Sequence, residues 1–251
     1  MEIQVQQFIL IFCRMTAFIA LCPGFSFKSF PNSVKIGLAF SLTTIVFPSV
    51  SLLPAELSLV TLGGFVLKEV LVGLALGYVS QLLFSGIEIA GQLVDFQVGF
   101  SMGAIYDPAM GVNASNYGRI YYWLGIAVFF LMDLHHTVIK SLLGSFQILP
   151  VTTAHLDGAT VEGVLKLFVQ VFEIALGLAA PLLLVALMVD IILGIISRTV
   201  PQINVLMLGM PLKITVSFFI FLLLLPNLVT NLGHTIEQLG QFIQEFVKSL
   251  A

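Results

Sequence analysis

Residues 214–236 run for 23 positions without an Asp, Glu, Lys or Arg, and residues 36–55 run for 20. About 20 apolar residues in a helix cross a bilayer core, so runs of this length fix the solvent before any other feature is considered. Two further runs, 70–87 with 18 residues and 174–189 with 16, are of the same kind. Charged side chains make up 9% of the 251 residues and hydrophobic ones 59%, with a mean hydropathy of +1.09. Soluble domains carry about 25% charged residues. The chain is therefore expected to be all-α, a multi-helix integral membrane protein. Its net charge of −3 is thinly spread and forms no basic patch, which argues against a nucleic-acid partner.

Other runs are too short. Residues 15–27, between Arg14 and Lys28, and 120–132, between Arg119 and Asp133, hold 13 each. Runs of about 10–14 favour helices buried in protein or re-entrant segments. Part of the chain is thus expected to be solvated by other protein, and the isolated chain to be unstable without partners. The segment 174–196 tests how much charge insertion tolerates. It holds 14 Leu, Ile or Val residues and one acid, Asp190. The aliphatics contribute roughly −4 to −8 kcal/mol against about +2.5 to +3.5 for a central Asp, so insertion wins.

The first apolar run carries Arg14 in its middle and lacks an A-x-A cleavage site, so it is expected to remain as the first helix. The two cysteines, Cys13 and Cys22, are nine positions apart. On one helix that is about 13 Å of rise, too far for a disulfide, and both are expected to be free packing thiols. Proline and glycine predict breaks at 22–33, 47–56 and 147–160, and a helical-hairpin turn at 197–211. In the tail, Leu232, Ile236, Leu239, Ile243 and Phe246 recur at spacings of three or four, with Glu237, Gln241, Gln244 and Glu245 between them. That pattern predicts an amphipathic helix lying against a partner or an interface.

Charges inside membrane segments are functional candidates by default: here Arg14, Lys68, Glu69, Glu88, Asp95 and Asp190. Adjacent Lys68 and Glu69 point about 100° apart on a helix, so each is expected to pair with another helix. Glu88 and Asp95 share a helical face, but about 10 Å of rise separates them, which rules out shared-proton chemistry. They read either as lining a water-filled passage or as a solvated helix end. The stretch "MDLHH" (132–136) has adjacent histidines, not the i, i+4 pair of a zinc protease, so no metal site is expected. Tyr106-Asp107 lacks the GxGD partner of an intramembrane aspartyl protease, and neither a Gly-x-Ser-x-Gly elbow nor a phosphate loop occurs. Neither enzymatic activity nor a cofactor is expected.

One segment remains. "GFSMGAIYDPAMG" (99–111) interrupts the apolar pattern with three glycines and an Asp-Pro step. Irregular backbone at membrane depth is tolerated only where it is buried in protein or lines a cavity. Gly99, Gly103 and Gly111 permit unusual dihedrals, while Phe100, Met102, Ile105 and Met110 offer a deformable apolar surface. Such a segment can fill a narrow pore and keep it dry; the alternative is an ordinary inter-helix loop.

The order "RMTAFIALCPGFSFKSFPNSVKIGLAFSL", then "GFSMGAIYDP", then a C-terminal hairpin resembles the FliR family of flagellar type III export-gate proteins over nearly the whole chain. The most specific part, 179–214, is similar to the two-helix hairpin of the companion subunit FliQ, with Pro181, the Gln202-Ile203-Asn204 turn, Pro211 and Lys213. The resemblance implies a FliP-like part over 1–160 fused to a FliQ-like hairpin with its amphipathic helix over 161–251. It implies a hetero-oligomer with FliP and FliQ, associated with FlhB, in the bacterial inner membrane at the flagellar basal body. That assembly would form a closed channel for unfolded flagellar subunits, with much of it standing out of the bilayer plane. By the same resemblance the loop over 99–117 is a pore plug, drawing on Gly99, Phe100, Met102, Gly103, Ile105, Tyr106, Asp107, Pro108, Met110, Gly111 and Val112. Gln202, Ile203 and Asn204 would face the cytoplasmic opening or a neighbouring subunit. Asp190, an acid deep in an apolar helix of the FliQ-like part, departs from the family pattern and is expected to pair with a Lys or Arg of a neighbouring subunit. Virulence type III secretion relatives share the pattern and give the alternative reading. A polytopic solute transporter would show repeated halves, which are not seen.

Overall fold

The computed structural model describes residues 3–53, 55–100, 115–154, 158–200 and 205–250. These are helical, with no strand among them. In chain order the helices are α1 (Ile3–Leu21), α2 (Asn32–Val46), α3 (Leu59–Val98), α4 (Asn116–Leu131), α5 (Leu134–Ile148), α6 (Gly158–Thr199), α7 (Val205–Glu237) and α8 (Leu239–Lys248). Four of the helical stretches are long and apolar enough to cross a membrane, or five if α4 and α5 count as one bent span. The multi-helix membrane architecture expected from composition is therefore present. α3 has 40 residues and α6 has 42, about twice what a hydrocarbon core requires.

The breaks fall at the proline- and glycine-rich segments. α1 ends before Cys22, and Gly24 takes φ +87, where an added Cβ would meet the Phe129 and Phe130 rings at 3.0 and 3.1 Å. The 13-residue runs have two explanations. The first lies largely in α1, which continues through Arg14 because that charge is buried and paired within the chain. The second lies within α4, which ends at Leu131 and turns by 76° into α5. The residue at this corner is Asp133, at φ 56.

The chain forms two compact units. The first comprises Met1–Leu83, Phe129–Val169 and Glu237–Ala251. Its core includes Leu10, Ile11, Met15, Phe18, Leu76, Leu142 and Ile243, all with less than 2% exposure. α1 meets α3 at a close approach, since a Cβ on Gly73 would strike the Arg14 carbonyl oxygen. α8 lies on α5, where a Cβ on Gly240 would meet Thr137 Cγ2 at 2.9 Å and Ser141 Oγ at 3.0 Å. The five tail residues that define the apolar stripe are all buried, and Glu237, Gln241, Gln244 and Glu245 are exposed. The surface that α8 covers thus belongs to its own chain.

The second unit comprises Phe84–Val128 and Gln170–Ile236. It contains the end of α3, most of α4, and the hairpin of α6 and α7 with Pro181, Pro211 and Pro226 inside its helices. Only 22% of the apolar window of α6 is buried within the chain, against 50% for α1. The hairpin leaves Leu184, Leu187, Met188, Ile191, Ile192 and Ile195 exposed along one helix. Such surface needs lipid or other protein to cover it.

Candidate functional site

Of the plug candidates, Gly99 and Phe100 are described. Met102, Gly103, Ile105, Tyr106, Asp107, Pro108, Met110, Gly111 and Val112 lie outside the described residues, as do Gln202, Ile203 and Asn204. What the structure details is how the chain leaves α3 and enters α4 on either side of residues 101–114.

α3 ends in a turn in which the Gly99 and Phe100 N–H groups both donate to the Asp95 carbonyl at 3.1 Å. Gly99 takes φ +102 there, a left-handed conformation that glycine adopts without steric cost. On the far side, Ser115 stands immediately before α4, and its Oγ accepts from the Gly118 N–H at 2.8 Å. This is the N-cap arrangement expected of serine, satisfying one of the four orphan donors of a helix start. The Ser115 hydroxyl in turn donates to Asp95 Oδ2. The Tyr117 N–H donates to both Asp95 oxygens, at 3.1 and 3.0 Å, and the Gly118 N–H reaches Oδ2 at 3.5 Å. A carboxylate at a helix N-terminus is further favoured by the helix dipole.

Close contact of the two helices makes this possible. A Cβ on Gly91 would strike the Tyr117 carbonyl oxygen and the Gly118 nitrogen. The Phe100 ring packs edge-on to Tyr117 with centroids 6.0 Å apart, and Tyr117 packs on Phe221 at 5.4 Å.

Asp95 therefore does not line a watery face. It is 2% exposed and turned onto the start of α4, whereas Glu88 is half-buried and accepts from Gln92 at 3.5 Å. Spacing placed the two acids on one side of the helix, but only Asp95 is turned onto the first turn of α4, while Glu88 stays half-buried. A serine cap followed by glycine three residues on was the sequence signal for this contact.

Asp190 also departs from expectation. Its partner is Lys213 of the same chain, at 2.7 Å, with Gln97 donating to the same oxygen at 3.1 Å. The 23-residue separation is bridged because α6 and α7 form a hairpin. These residues border a cleft of about 490 Å³ lined also by Gly99, Gly194, Gly209 and Met210.

In the first unit, Arg14 and Glu69 are fully buried and joined at 2.6 Å. Arg14 also donates to the Leu149 carbonyl at 3.0 Å and to Ser145 Oγ at 3.4 Å, and its guanidinium sits 4.2 Å from the Phe146 ring centroid. The other Glu69 oxygen accepts from the Thr152 N–H at 3.0 Å, where Thr152 holds φ 79. Glu69 thus pairs with another helix and not with Lys68, which is half-buried. The set fastens α1, α3 and the end of α5 together.

The stretch 132–136, from which no metal site is expected, does gather three side chains. Asp133, His135 and His136 bring possible ligand atoms within 4.8 Å of one another. Asp133 and His136 are exposed, and they face each other across the first turn of α5 at 3.8 Å. Asp133 occupies the N-cap position there, so the group reads as the charged corner of the bend.

The chain matches the family model "Bacterial export proteins, family 1" over residues 5–239. It is similar to the flagellar biosynthetic protein FliR of Bacillus subtilis (strain 168), with 35% identity covering 86% of this chain and 84% of that one. The FliR proteins of Escherichia coli (strain K12) and Aquifex aeolicus (strain VF5) are 29% and 27% identical. Those matches cover 94% and 96% of this chain, and 91% and 93% of theirs.

Proposed function

We infer the role of this chain from its membership: it belongs to the bacterial export proteins, family 1, together with the flagellar biosynthetic proteins named FliR. It is a membrane-embedded component of the flagellar protein-export apparatus. Within that frame we propose that it is a core subunit of a closed channel in the bacterial inner membrane, at the flagellar basal body, through which unfolded flagellar subunits pass. FliP, FliQ and FlhB are its proposed partners, with residues 1–160 taking the FliP-like place and 161–251 the FliQ-like one. The turn at Gln202, Ile203 and Asn204 is proposed to lie at the cytoplasmic opening or a subunit contact. No catalytic step is assigned to the chain.

The proposed stopper of the channel is the segment from Gly99 to Val112. The observation that carries this reading is the character of the segment between two apolar helices. It has three glycines, Phe100, Met102, Ile105 and Met110, and a single charge at Asp107. An apolar, deformable filler resists ions by excluding water from a constriction, without a charged gate. Groups on both its flanks donate hydrogen bonds to Asp95, so the two ends of such a segment lie close together.

Deletion of residues 104–111 tests this. Cells whose deleted protein still co-purifies with its partners are expected to show raised membrane conductance to small ions. Unchanged conductance with the assembly intact contradicts the plug.

A further inference from the structure

We propose that Asp95 is a positioning residue that pins both ends of the 101–114 segment at one point. Its backbone carbonyl receives the chain leaving α3, through the Gly99 and Phe100 N–H groups. Its side chain receives the chain entering α4, through the Ser115 hydroxyl and the Tyr117 and Gly118 N–H groups. One residue thus collects five donors from the two flanks.

The chemistry of the site requires an acid. Among the described residues every group hydrogen-bonded to the Asp95 side chain is a donor, so an acceptor-only carboxylate satisfies them all. An amide replaces one acceptor oxygen with an NH2 that faces other donors. Among the described residues no cation pairs with Asp95. Its negative charge is met by aligned N–H groups, a hydroxyl and the positive end of α4. Gly91 supplies the necessary proximity, because any side chain there would strike the backbone of residues 117 and 118. Ser115 acts in both directions, capping α4 through Gly118 and donating to Asp95. What the anchor means for transport rests on the plug reading; whether the ends are pinned does not.

The test measures the separation of the ends directly. Spin labels are placed at Phe96→Cys and Arg119→Cys, both exposed, in the full chain with Cys13 and Cys22 replaced by alanine. The protein is purified from its own membrane with its partners. A narrow distance distribution is expected with Asp95 in place. Asp95→Asn is expected to broaden it about twofold, because the flanks then open locally. Ser115→Ala should broaden it less, and Ser115→Thr, which keeps the hydroxyl, should restore the narrow distribution. Unchanged width in Asp95→Asn overturns the anchor. Should that variant fail to accumulate, the Ser115 pair decides: equal widths for alanine and threonine overturn it. Ion leakage in the same cells bears only on the plug, so the two readings fail separately.

Discussion

The Arg14 and Asp95 sites each bury a charge in an apolar chain, and they neutralise it in different ways. Arg14 meets an opposite charge, Glu69, plus a carbonyl, a hydroxyl and an aromatic face, all supplied by the first unit. Asp95 meets N–H and O–H donors at the start of one helix. The first arrangement binds several elements and fails if either partner is lost. The second organises a single junction and depends on geometry at a helix end. The difference separates a charge that holds the fold from one that sets where a segment begins and ends.

Breaking the ion pair should give the largest effect. Arg14→Met leaves Glu69 buried without its cation, a cost of about 3–5 kcal/mol, and little protein should accumulate in the membrane. Adding Glu69→Leu should recover part of that loss, read from membrane protein levels and thermal unfolding. Full accumulation of the single variant would mean that Arg14 is not enclosed as described. Next comes Asp95→Asn, which leaves donors of α4 short of an acceptor at about 1–3 kcal/mol. Its melting temperature should fall less than that of Arg14→Met, and an equal fall would erase the contrast between the two sites.

Glycine substitutions sharpen the junction further. Gly91→Ala forces α3 and α4 apart and should cost about 1–3 kcal/mol, as overpacking does. Gly177→Ala meets nothing within 4 Å and should be neutral or slightly stabilising. Thermal unfolding of the two variants side by side reads the difference, and equal melting temperatures would mean that the helices do not touch at Gly91. The smallest effect belongs to Lys166, paired with Glu245 at 3.2 Å with both side chains more than half exposed. Lys166→Ala should change stability by at most about 1 kcal/mol, and a larger loss would show that α8 depends on this pair.

Much of the fold was legible in particular residues. Proline and glycine marked the ends of α1 and α5, and the spacing of Leu232, Ile236, Leu239, Ile243 and Phe246 marked the buried stripe of the tail. The bend at Asp133 was not legible, because a non-glycine residue takes the left-handed conformation there without a glycine or proline beside it. At Asp95 the spacing gave the face of the helix but not what lay against it. That depended on α4 coming close enough at Gly91 for a carboxylate to reach the first turn. Asp190 had a cation in its own sequence, at Lys213, and only the hairpin geometry joined them.

Residues 100–112 are proposed to close a channel from within. Single cysteines at Met102 and Met110, in a chain with Cys13 and Cys22 replaced by alanine, can be exposed to a membrane-impermeant thiol reagent while export is idle. Both are expected to stay unmodified from either side of the membrane, and to react once a stalled export substrate occupies the channel. Modification in the idle state, as fast as that of a free thiol in solution, would contradict the proposal.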